Sequence, residues 1–270
     1  MRASRWALGL AAAAGVLWAV PFLWMAVASV RPGYPDDVAS LVPQGPFSLE
    51  NYRDAQNSGH FALWYLNTAL LCLGILAVQC VTVTLAGYAF ARLRFPGQDV
   101  VFTLFLLQLL LVPALLIVPN LQMLVALGLY DTLPGVGAPY LASAFGVFLM
   151  RQTFRQLPRD YEEAAALDGA GTLGVIWHVL LPLARPGLAA FAVVSLTAHW
   201  NEYVWPLMAT SSPRTAVLTT GLASFAGASE SGGQWGVMAA GTALVAAPLL
   251  VLFVLFQRRI VNSFVFSGIK

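Results

Sequence analysis

The residues best suited to chemistry lie together near the end of an apolar stretch, between positions 199 and 206. His199 and Glu202 are ionisable, and because such groups are energetically costly at membrane depth, their presence there suggests a function. Asn201 adds hydrogen-bonding capacity, while Trp200 and Trp205 add aromatic faces. Together these side chains suit a solute that presents both C–H patches and hydroxyl groups, as a carbohydrate does. The alternative is an aromatic belt at the membrane–water interface.

A second group of residues, between positions 157 and 182, combines acids, alanines and glycines. The pattern predicts two short helices joined by a glycine corner. Pro158 suits a first helical turn, and the acids that follow it stabilise the positive end of the helix dipole. Gly169 tolerates the left-handed backbone that ends a helix, Thr172 can cap the second helix, and Leu181-Pro182 is expected to end it. Alanines in the first helix allow close approach to a partner surface.

The spacing of this stretch resembles the cytoplasmic coupling motif of ABC importer permeases, with Val179 where that family more often has Ile. The resemblance implies that the first helix docks in a cleft of a separate ATPase subunit and transmits its closure to the membrane. The residues expected to couple to the ATPase are Glu163, Ala164, Ala165, Asp168, Gly169, Leu181 and Pro182.

Composition places the chain among integral membrane proteins. Its 270 residues are 59% hydrophobic and only 10% charged, unlike those of a typical soluble domain. The net charge of +2 is too small to indicate nucleic-acid binding. The only lysine is Lys270, so a phosphate-binding loop with lysine ahead of a helix is excluded, and any ATP must bind another chain. Cys72 and Cys80 would lie about 12 Å apart on one helix, too far for a disulfide.

Six apolar segments are predicted to cross the bilayer. They cover approximately residues 6–30, 63–91, 101–127, 135–150, 186–208 and 237–257, with polar external loops at 32–60 and 209–235. A signal-peptidase site at Ala26-Val27-Ala28 is an alternative for the first segment. A retained helix is favoured, because the apolar run is longer than a usual signal core.

Polar and proline residues distinguish the second and third segments. Asn67, Gln79 and their threonine neighbours predict that the second segment meets other helices rather than lipid alone. Pro113 and Pro119 would open the helical hydrogen bonds of the third segment unless neighbours or a wet cavity satisfy them. That segment is therefore either a packed kink or a helix lining a pathway, beside which Asn120 would lie.

The distribution of positive charge predicts the orientation. With an internal N-terminus, 11 of the 14 lysines and arginines fall on the inside, as the positive-inside rule requires. The expected fold is thus an all-α polytopic membrane protein of six spans with both termini cytoplasmic. Its parts would be a first helix and external loop (1–60), a core permease domain (61–257) carrying the coupling helices (158–182), and a cytoplasmic tail (258–270).

A second resemblance concerns substrate class and partners. The run from Trp200 to Pro206 resembles the fifth helix of carbohydrate-type ABC permeases, and residues 86–92 and 256–261 extend the likeness to the shorter permease subunit of maltose- and glycerol-phosphate-type importers. The likeness implies a heterodimer with a second permease, two ATPase subunits and an external solute-binding protein, in a bacterial inner membrane. No metal or cofactor is expected on this chain, since ATP and Mg²⁺ would be used by the ATPase.

The resemblance also assigns residues to two further roles. The expected substrate pathway consists of Trp200, Asn201, Glu202, Trp205 and Asn120. The binding protein is expected to contact the segment 219–234, at Ser229, Glu230, Gly232 and Gly233.

Two alternative functions fit the residues less well. A secondary, ion-coupled transporter needs buried acids or inverted repeats with broken helices, and Glu202 is the one plausible buried acid. An intramembrane hydrolase using His199 lacks a partner, because Ser229 and Ser231 fall in a predicted external loop and the sequence has no Gly-x-Ser-x-Gly elbow.

Overall fold

A computed structural model describes residues 5–31, 46–231 and 235–266, and within these ranges the chain forms helices and no strand. The all-α prediction is therefore confirmed. The helices are, in chain order, α1 (Arg5–Ser29), α2 (Glu50–Ser58), α3 (Phe61–Arg92), α4 (Gln98–Gln108), α5 (Ile117–Ala126), α6 (Leu133–Gly137), α7 (Ala144–Gln156), α8 (Asp160–Leu167), α9 (Thr172–Gly174), α10 (Leu181–Trp200), α11 (Val204–Ala209), α12 (Leu218–Ser231) and α13 (Trp235–Phe266).

The chain divides into two compact units, one formed by residues 1–63 and 218–252 and the other by 64–217 and 253–270. In the first unit, the Asn51 amide on α2 donates to the carbonyls of Ala28 and Ser29 at the end of α1, at 3.2 Å each. Phe61 packs edge-to-face on Phe225 of α12, with ring centroids 5.4 Å apart. These contacts organise segments that the sequence analysis assigned to loops.

The sequence predicted polar loops at 32–60 and 209–235, but each of these segments contains a helix. The 32–60 segment contains α2, which is anchored by buried Asn51 and Ala55. The 209–235 segment contains α12, because Leu218 and Phe225 bury an apolar face that its glycines and serines concealed. Residues 32–45 and 232–234 lie outside the described ranges.

The second unit is built around α3, α7 and α10. Buried side chains from these helices, including Val83, Met150, Phe154 and Phe191, form its main core. The backbones come close where glycine replaces a side chain: a Cβ on Gly146 would lie 2.6 Å from both Phe191 and Val83. Gly146 therefore allows α7 to pack directly against α3 and α10.

Helix α3 confirms the predicted second segment almost to the residue, and its polar side chains pack inward as expected. Asn67 is 4% exposed and donates to the carbonyls of Arg214 and Ala216, both at 2.8 Å. Gln79 is 3% exposed and donates to the Tyr140 carbonyl at 2.6 Å. Cys72 and Cys80 on the same helix are free thiols, as their spacing requires.

The third and fourth segments are broken rather than straight. The axis turns by 101° between α4 and the Pro113–Ala126 helix, and by 48° between the Leu133–Tyr140 helix and α7. Pro113 begins a 3₁₀ turn at the first break, where its missing N–H leaves no helical hydrogen bond unmade. Pro113 therefore marks the break, whereas Pro119 lies within the first turn of α5.

The fifth segment differs from the prediction. A continuous helix runs from Thr172 to Trp200, so Leu181-Pro182 does not end it. The turn before Pro182 is π-helical over Val175–Leu180, and this wider turn moves the preceding carbonyls away from the proline ring. The expected cap was also wrong, since Gly171 occupies the N-cap position before Thr172 and no side chain caps it.

Within the described residues, two helices are by themselves long and apolar enough to cross a bilayer, Phe61–Arg92 and Thr172–Trp200. Each bent pair supplies one more span if it crosses as a broken helix, and Ala13–Ser29 and Trp235–Pro248 form shorter apolar helices.

Candidate functional site

Helix α8 carries the acidic and alanine residues of the expected coupling motif. Asp160, Glu162 and Glu163 lie in its first turn, where their charge stabilises the helix dipole. The helix ends as predicted: Gly169 has a φ of +82°, and the Ala170 N–H donates to the Ala165 carbonyl at 2.9 Å.

The outward face of this corner is a mixed apolar and acidic surface. Glu163, Ala164 and Asp168 are exposed, and Ala165 is half-buried. Leu167 is 90% exposed and Leu173, just beyond the corner, is 64% exposed. We call this set, Glu163, Ala164, Leu167, Asp168 and Leu173, the coupling surface; exposed leucines beside acids are typical of a protein interaction site.

The inward side of α8 is fixed to α3 by an ion pair. Arg92 Nε lies 2.6 Å from Glu162 Oε1, and the two side chains are only 7% and 18% exposed. Arg92 Nη2 also donates to the Leu157 carbonyl at 2.7 Å, and Tyr88 is hydrogen-bonded to Glu162. Sequence reasoning missed this pair, although the basic end of α3 and the acidic start of α8 both suggested a partner of opposite charge.

The last two residues of the motif occupy a different environment. Leu181 and Pro182 are half-buried within the continuous helix, directly after the fully buried Leu180. They therefore position the helix that follows the coupling surface, and the surface itself ends near Leu173.

A cavity of about 690 Å³ lies within the second unit, among α3, α7, α10, α11 and the break between α4 and α5. Asn120, Glu202 and Trp205 of the expected pathway line it, and His199 does so too. Most of the remaining lining is apolar, as in other small-molecule sites.

Two of the expected pathway residues are not among the lining residues. Trp200 faces the Tyr65 ring at 6.4 Å between centroids, and its buried Nε1 has no hydrogen-bond partner among the described residues. Asn201 is exposed and its amide donates to the Thr197 carbonyl at 2.8 Å, near the end of α10. The helix ends at Trp200, and this end separates Asn201 from the cavity that the neighbouring residues share.

A buried hydrogen-bond network holds the wall of the cavity. Ser195 Oγ donates to Gln79 Oε1 at 2.6 Å, while Gln79 Nε2 lies 3.4 Å from His199 Nε2. The rings of His199 and Tyr140 are 4.6 Å apart. Glu202 receives a hydrogen bond from Tyr140, and the Trp205 backbone N–H donates to its Oε1 at 3.5 Å. The network fixes the two ionisable groups on one wall.

Asp131 joins two loops at the opposite end of α3 from Arg92. Its carboxylate accepts hydrogen bonds from the backbone N–H groups of Ser211 and Ser212, at 2.9 and 3.1 Å, and from the Thr215 hydroxyl. The Thr215 hydroxyl and these N–H groups hold the pKa of Asp131 well below its usual range. This junction too was absent from the sequence predictions.

The residues expected to contact a binding protein are Ser229, Glu230, Gly232 and Gly233. Ser229 and Glu230 belong to the last turns of α12, whose side chains there are outside the described set, and Gly232 and Gly233 are outside the described ranges.

The chain matches a protein family described as "Binding-protein-dependent transport system inner membrane component" over residues 83–265. It is 32% identical to the diacetylchitobiose uptake system permease protein NgcG of Streptomyces coelicolor, covering 92% of this chain and 84% of that protein. It is 34% identical to the sn-glycerol-3-phosphate transport system permease protein UgpE of Yersinia pestis, covering 84% and 83%. It is 30% identical to the trehalose transport system permease protein SugB of Mycobacterium tuberculosis, covering 93% and 92%.

The fold is similar to a chain in the crystal structure of a bacterial ABC transporter involved in the import of the acidic polysaccharide alginate. The TM-score is 0.79 at 21% identity, covering 96% of this chain and 99% of that one. A second structure, of the bacterial alginate ABC transporter in complex with a periplasmic protein that carries an alginate pentasaccharide, has a TM-score of 0.66 at 15% identity, covering 94% of this chain and 95% of that one.

Proposed function

This chain belongs to the family of binding-protein-dependent transport system inner membrane components, and we propose that it translocates a carbohydrate-type solute that an external binding protein delivers. The solute class is taken from relatives named for diacetylchitobiose, sn-glycerol-3-phosphate and trehalose. The comparisons give no support to the alternative of an ion-coupled secondary transporter.

The observation that carries the proposal is the coupling surface and its attachment. Its exposed leucines and acids have no covering element among the described residues, so a separate subunit can dock there. The buried Arg92–Glu162 pair connects the same helix to α3, which is long enough to cross a bilayer. A movement imposed on α8 by a partner would therefore reach a membrane-spanning helix directly.

We propose that the partner is one of two ATPase subunits, and that a second permease completes the membrane channel. The chain has no phosphate-binding lysine loop, so ATP and Mg²⁺ would be bound by those partners. The ATPases would close on ATP at one face of the membrane, and the solute-loaded binding protein would dock at the other. Together they would shift the equilibrium between the inward-open and outward-open states of the channel.

The proposed topology has six spans in the bacterial inner membrane, with both termini cytoplasmic. The distribution of positive charge supports this orientation. Contacts within the second unit are consistent with it: Asn67 at the start of α3 bonds to the 214–216 segment, whereas Arg92 at its end bonds to α8. Helices α1 and α13 would supply the first and last spans.

The solute would pass through the cavity lined by Asn120, Glu202 and Trp205. Trp200 and Asn201 stay in the proposal as residues at the mouth of the pathway, since they follow directly from α10. Ser229, Glu230, Gly232 and Gly233 remain the proposed contacts of the binding protein.

Co-purification tests this function. The chain, tagged and expressed with its genomic neighbours, is expected to elute from mild detergent with an ATPase and a second permease. Reconstituted in vesicles with the binding protein, the complex should accumulate solute only when ATP is present on the ATPase side. Transport by the purified chain alone, without a nucleotide-hydrolysing partner, would contradict the proposal.

A further inference from the structure

The free hydrogen-bonding groups of the cavity are neutral amides. Gln108 and Asn120 lie on either side of the α4–α5 break, and within the described part of the chain their side-chain amides hold no hydrogen bond. An amide both donates and accepts, as a hydroxyl does, so each can bind a sugar hydroxyl without a change of charge.

Other polar groups of the lining are already engaged by the protein. The Gln79 amide is occupied by Ser195 and by the Tyr140 carbonyl. Ser143 Oγ accepts a hydrogen bond from the Gly146 N–H at 3.1 Å and so caps α7. A solute would therefore meet chiefly the two free amides, the His199 ring, the aromatic and aliphatic faces, and Glu202.

The lining residues carry one formal charge, and it is acidic. Glu202 is held by the Tyr140 hydroxyl and the Trp205 N–H, so it cannot swing away from an incoming solute without losing both contacts. Protein sites for phosphate or carboxylate groups instead use guanidinium, ammonium or several free backbone N–H groups. Three helices begin in the lining, α5, α7 and α11, and each already has an N–H of its first turn bonded within the chain. The Ile117 N–H donates to the Ala114 carbonyl, the Gly146 N–H to Ser143 and the Trp205 N–H to Glu202.

Like charges repel more strongly beside a mostly apolar lining than they do in bulk water, because the effective dielectric constant is lower there. An anionic solute in the cavity would therefore be repelled by Glu202. A neutral saccharide meets no such repulsion, and its C–H faces can pack on Trp205 and Tyr140, which both line the cavity.

We propose that this cavity takes an uncharged saccharide, and that Glu202 disfavours anionic solutes such as sugar phosphates, glycerol phosphates and uronic-acid oligosaccharides. The proposal rests on the proposed function and narrows its substrate class. It separates this chain from two of the similar proteins, which are named for glycerol phosphate and alginate, and joins it to those named for trehalose and diacetylchitobiose.

The test is a comparison of import by cells that express the complete transporter and lack other importers of the probes. The probes are labelled trehalose and diacetylchitobiose as neutral solutes, and sn-glycerol 3-phosphate and a short alginate oligosaccharide as anions. At least one neutral probe should enter at a rate about tenfold or more above both anions, the ratio that 1.4 kcal/mol produces. Import of an anion at an equal or higher rate, or import of neither neutral probe, would overturn the proposal.

A variant that adds positive charge tests the role of the lining itself. Asn120→Lys should raise the ratio of anion to neutral import by about tenfold. The matched control is Gln122→Lys, which places the same charge two residues along α5, at an exposed position outside the lining. If Asn120→Lys does not reach the membrane, Glu202→Gln provides the measurement, since it keeps the size of the side chain and should increase anion import. An unchanged ratio in the variant that reaches the membrane would overturn the proposal.

Failure of the proposed function gives a different result. In that case, solute uptake would persist when the partner ATPase is inactivated by a substitution in its own phosphate-binding loop. The difference in that ratio between Asn120→Lys and its control Gln122→Lys would still report on the cavity, because the other components are the same in both.

Discussion

Arg92, the last residue of α3, forms an ion pair at 2.6 Å with Glu162, which precedes the exposed Glu163 of the coupling surface by one position. Two adjacent acids thus have opposite surroundings. Glu162 faces inward and fixes α8 to α3, which is long and apolar enough to cross a bilayer, while Glu163 is exposed. Through this pair, a displacement of α8 by a partner would be passed to α3.

Neutralising the inward pair is expected to uncouple ATP hydrolysis from import. In Arg92→Gln, the Glu162 carboxylate is left partly buried without its cation, which is unfavourable. We expect import to fall by about tenfold, within the usual range of coupling energies, while ATP hydrolysis by the complex continues. Uptake and ATPase activity are measured on the same vesicles.

Arg94→Gln is the matched control, because Arg94 lies two residues away and is exposed. It should leave both activities near wild type. The exchanged pair Arg92→Glu with Glu162→Arg should recover part of the lost import. Equal effects of Arg92→Gln and Arg94→Gln would show that the ion pair has no special role.

Gly146 should tolerate no larger residue. A Cβ there would lie 2.6 Å from the Phe191 ring and from Val83, so Gly146→Val forces α7 away from α3 and α10. Overpacking of this kind destabilises by about 1–3 kcal/mol, which is measured by thermal unfolding of the purified complex. Gly74→Ala is the control, since a Cβ at Gly74 meets nothing within 4 Å. A wild-type melting temperature for Gly146→Val would contradict the packing described here.

Asp131 is expected to stabilise the junction of two loops in a pH-dependent way. Its folded-state pKa is lowered from the ordinary value of 3.8, so its contribution is fully present above about pH 4 and is lost as the pH falls toward the lowered pKa. Asp131→Asn keeps a residue that accepts the positive φ of 58° but removes the charge.

The difference in melting temperature between wild type and Asp131→Asn should be constant from pH 5 to pH 8 and shrink below about pH 4. Asp54→Asn, at an exposed position of α2, is the control. Its melting temperature should match that of the wild type both at pH 5 to 8 and below pH 4. A difference that grows on acidification would have the wrong sign for a depressed pKa.

The proposed orientation is tested by cysteine labelling in a background with Cys72 and Cys80 replaced by alanine. Asp168→Cys, on the coupling surface, should react with a membrane-impermeant maleimide only after the cells are opened. Ser211→Cys, on the other side of the proposed bundle, should react in intact cells. The reverse pattern would place the coupling surface outside and exclude an ATPase partner.

The features predicted correctly from the sequence are those determined by residues close together along the chain. The spacing of apolar residues predicted α3, the left-handed φ of Gly169 followed from the glycine corner, and Pro113 located the break after α4. The helix through Pro182 was not predictable by the same rule, because the π-helical turn that accommodates the proline depends on packing of Ile176 and Leu180 in the core.

The sequence predicted the kinds of residue that line the cavity, but it did not predict correctly which individual residues do so. Asn120 and Glu202 share a cavity although 82 positions separate them, as their polarity in apolar segments suggested. Trp200 and Asn201 adjoin Glu202 in sequence, yet neither lines the cavity: the Trp200 ring lies beside Tyr65, and the Asn201 amide bonds to the Thr197 carbonyl. The Arg92–Glu162 pair and the Asp131 junction depend on tertiary contacts between distant segments, which one sequence does not reveal.

The most direct measurement compares ATP-dependent import by wild type, Glu163→Lys and Asp160→Lys. Both substitutions reverse an exposed acid in the first turn of α8, but only Glu163 belongs to the coupling surface. Glu163→Lys is expected to abolish import while the chain stays in the membrane with its second permease, and Asp160→Lys should retain most import. Normal import by Glu163→Lys would contradict the claim that a separate ATPase drives this permease through α8.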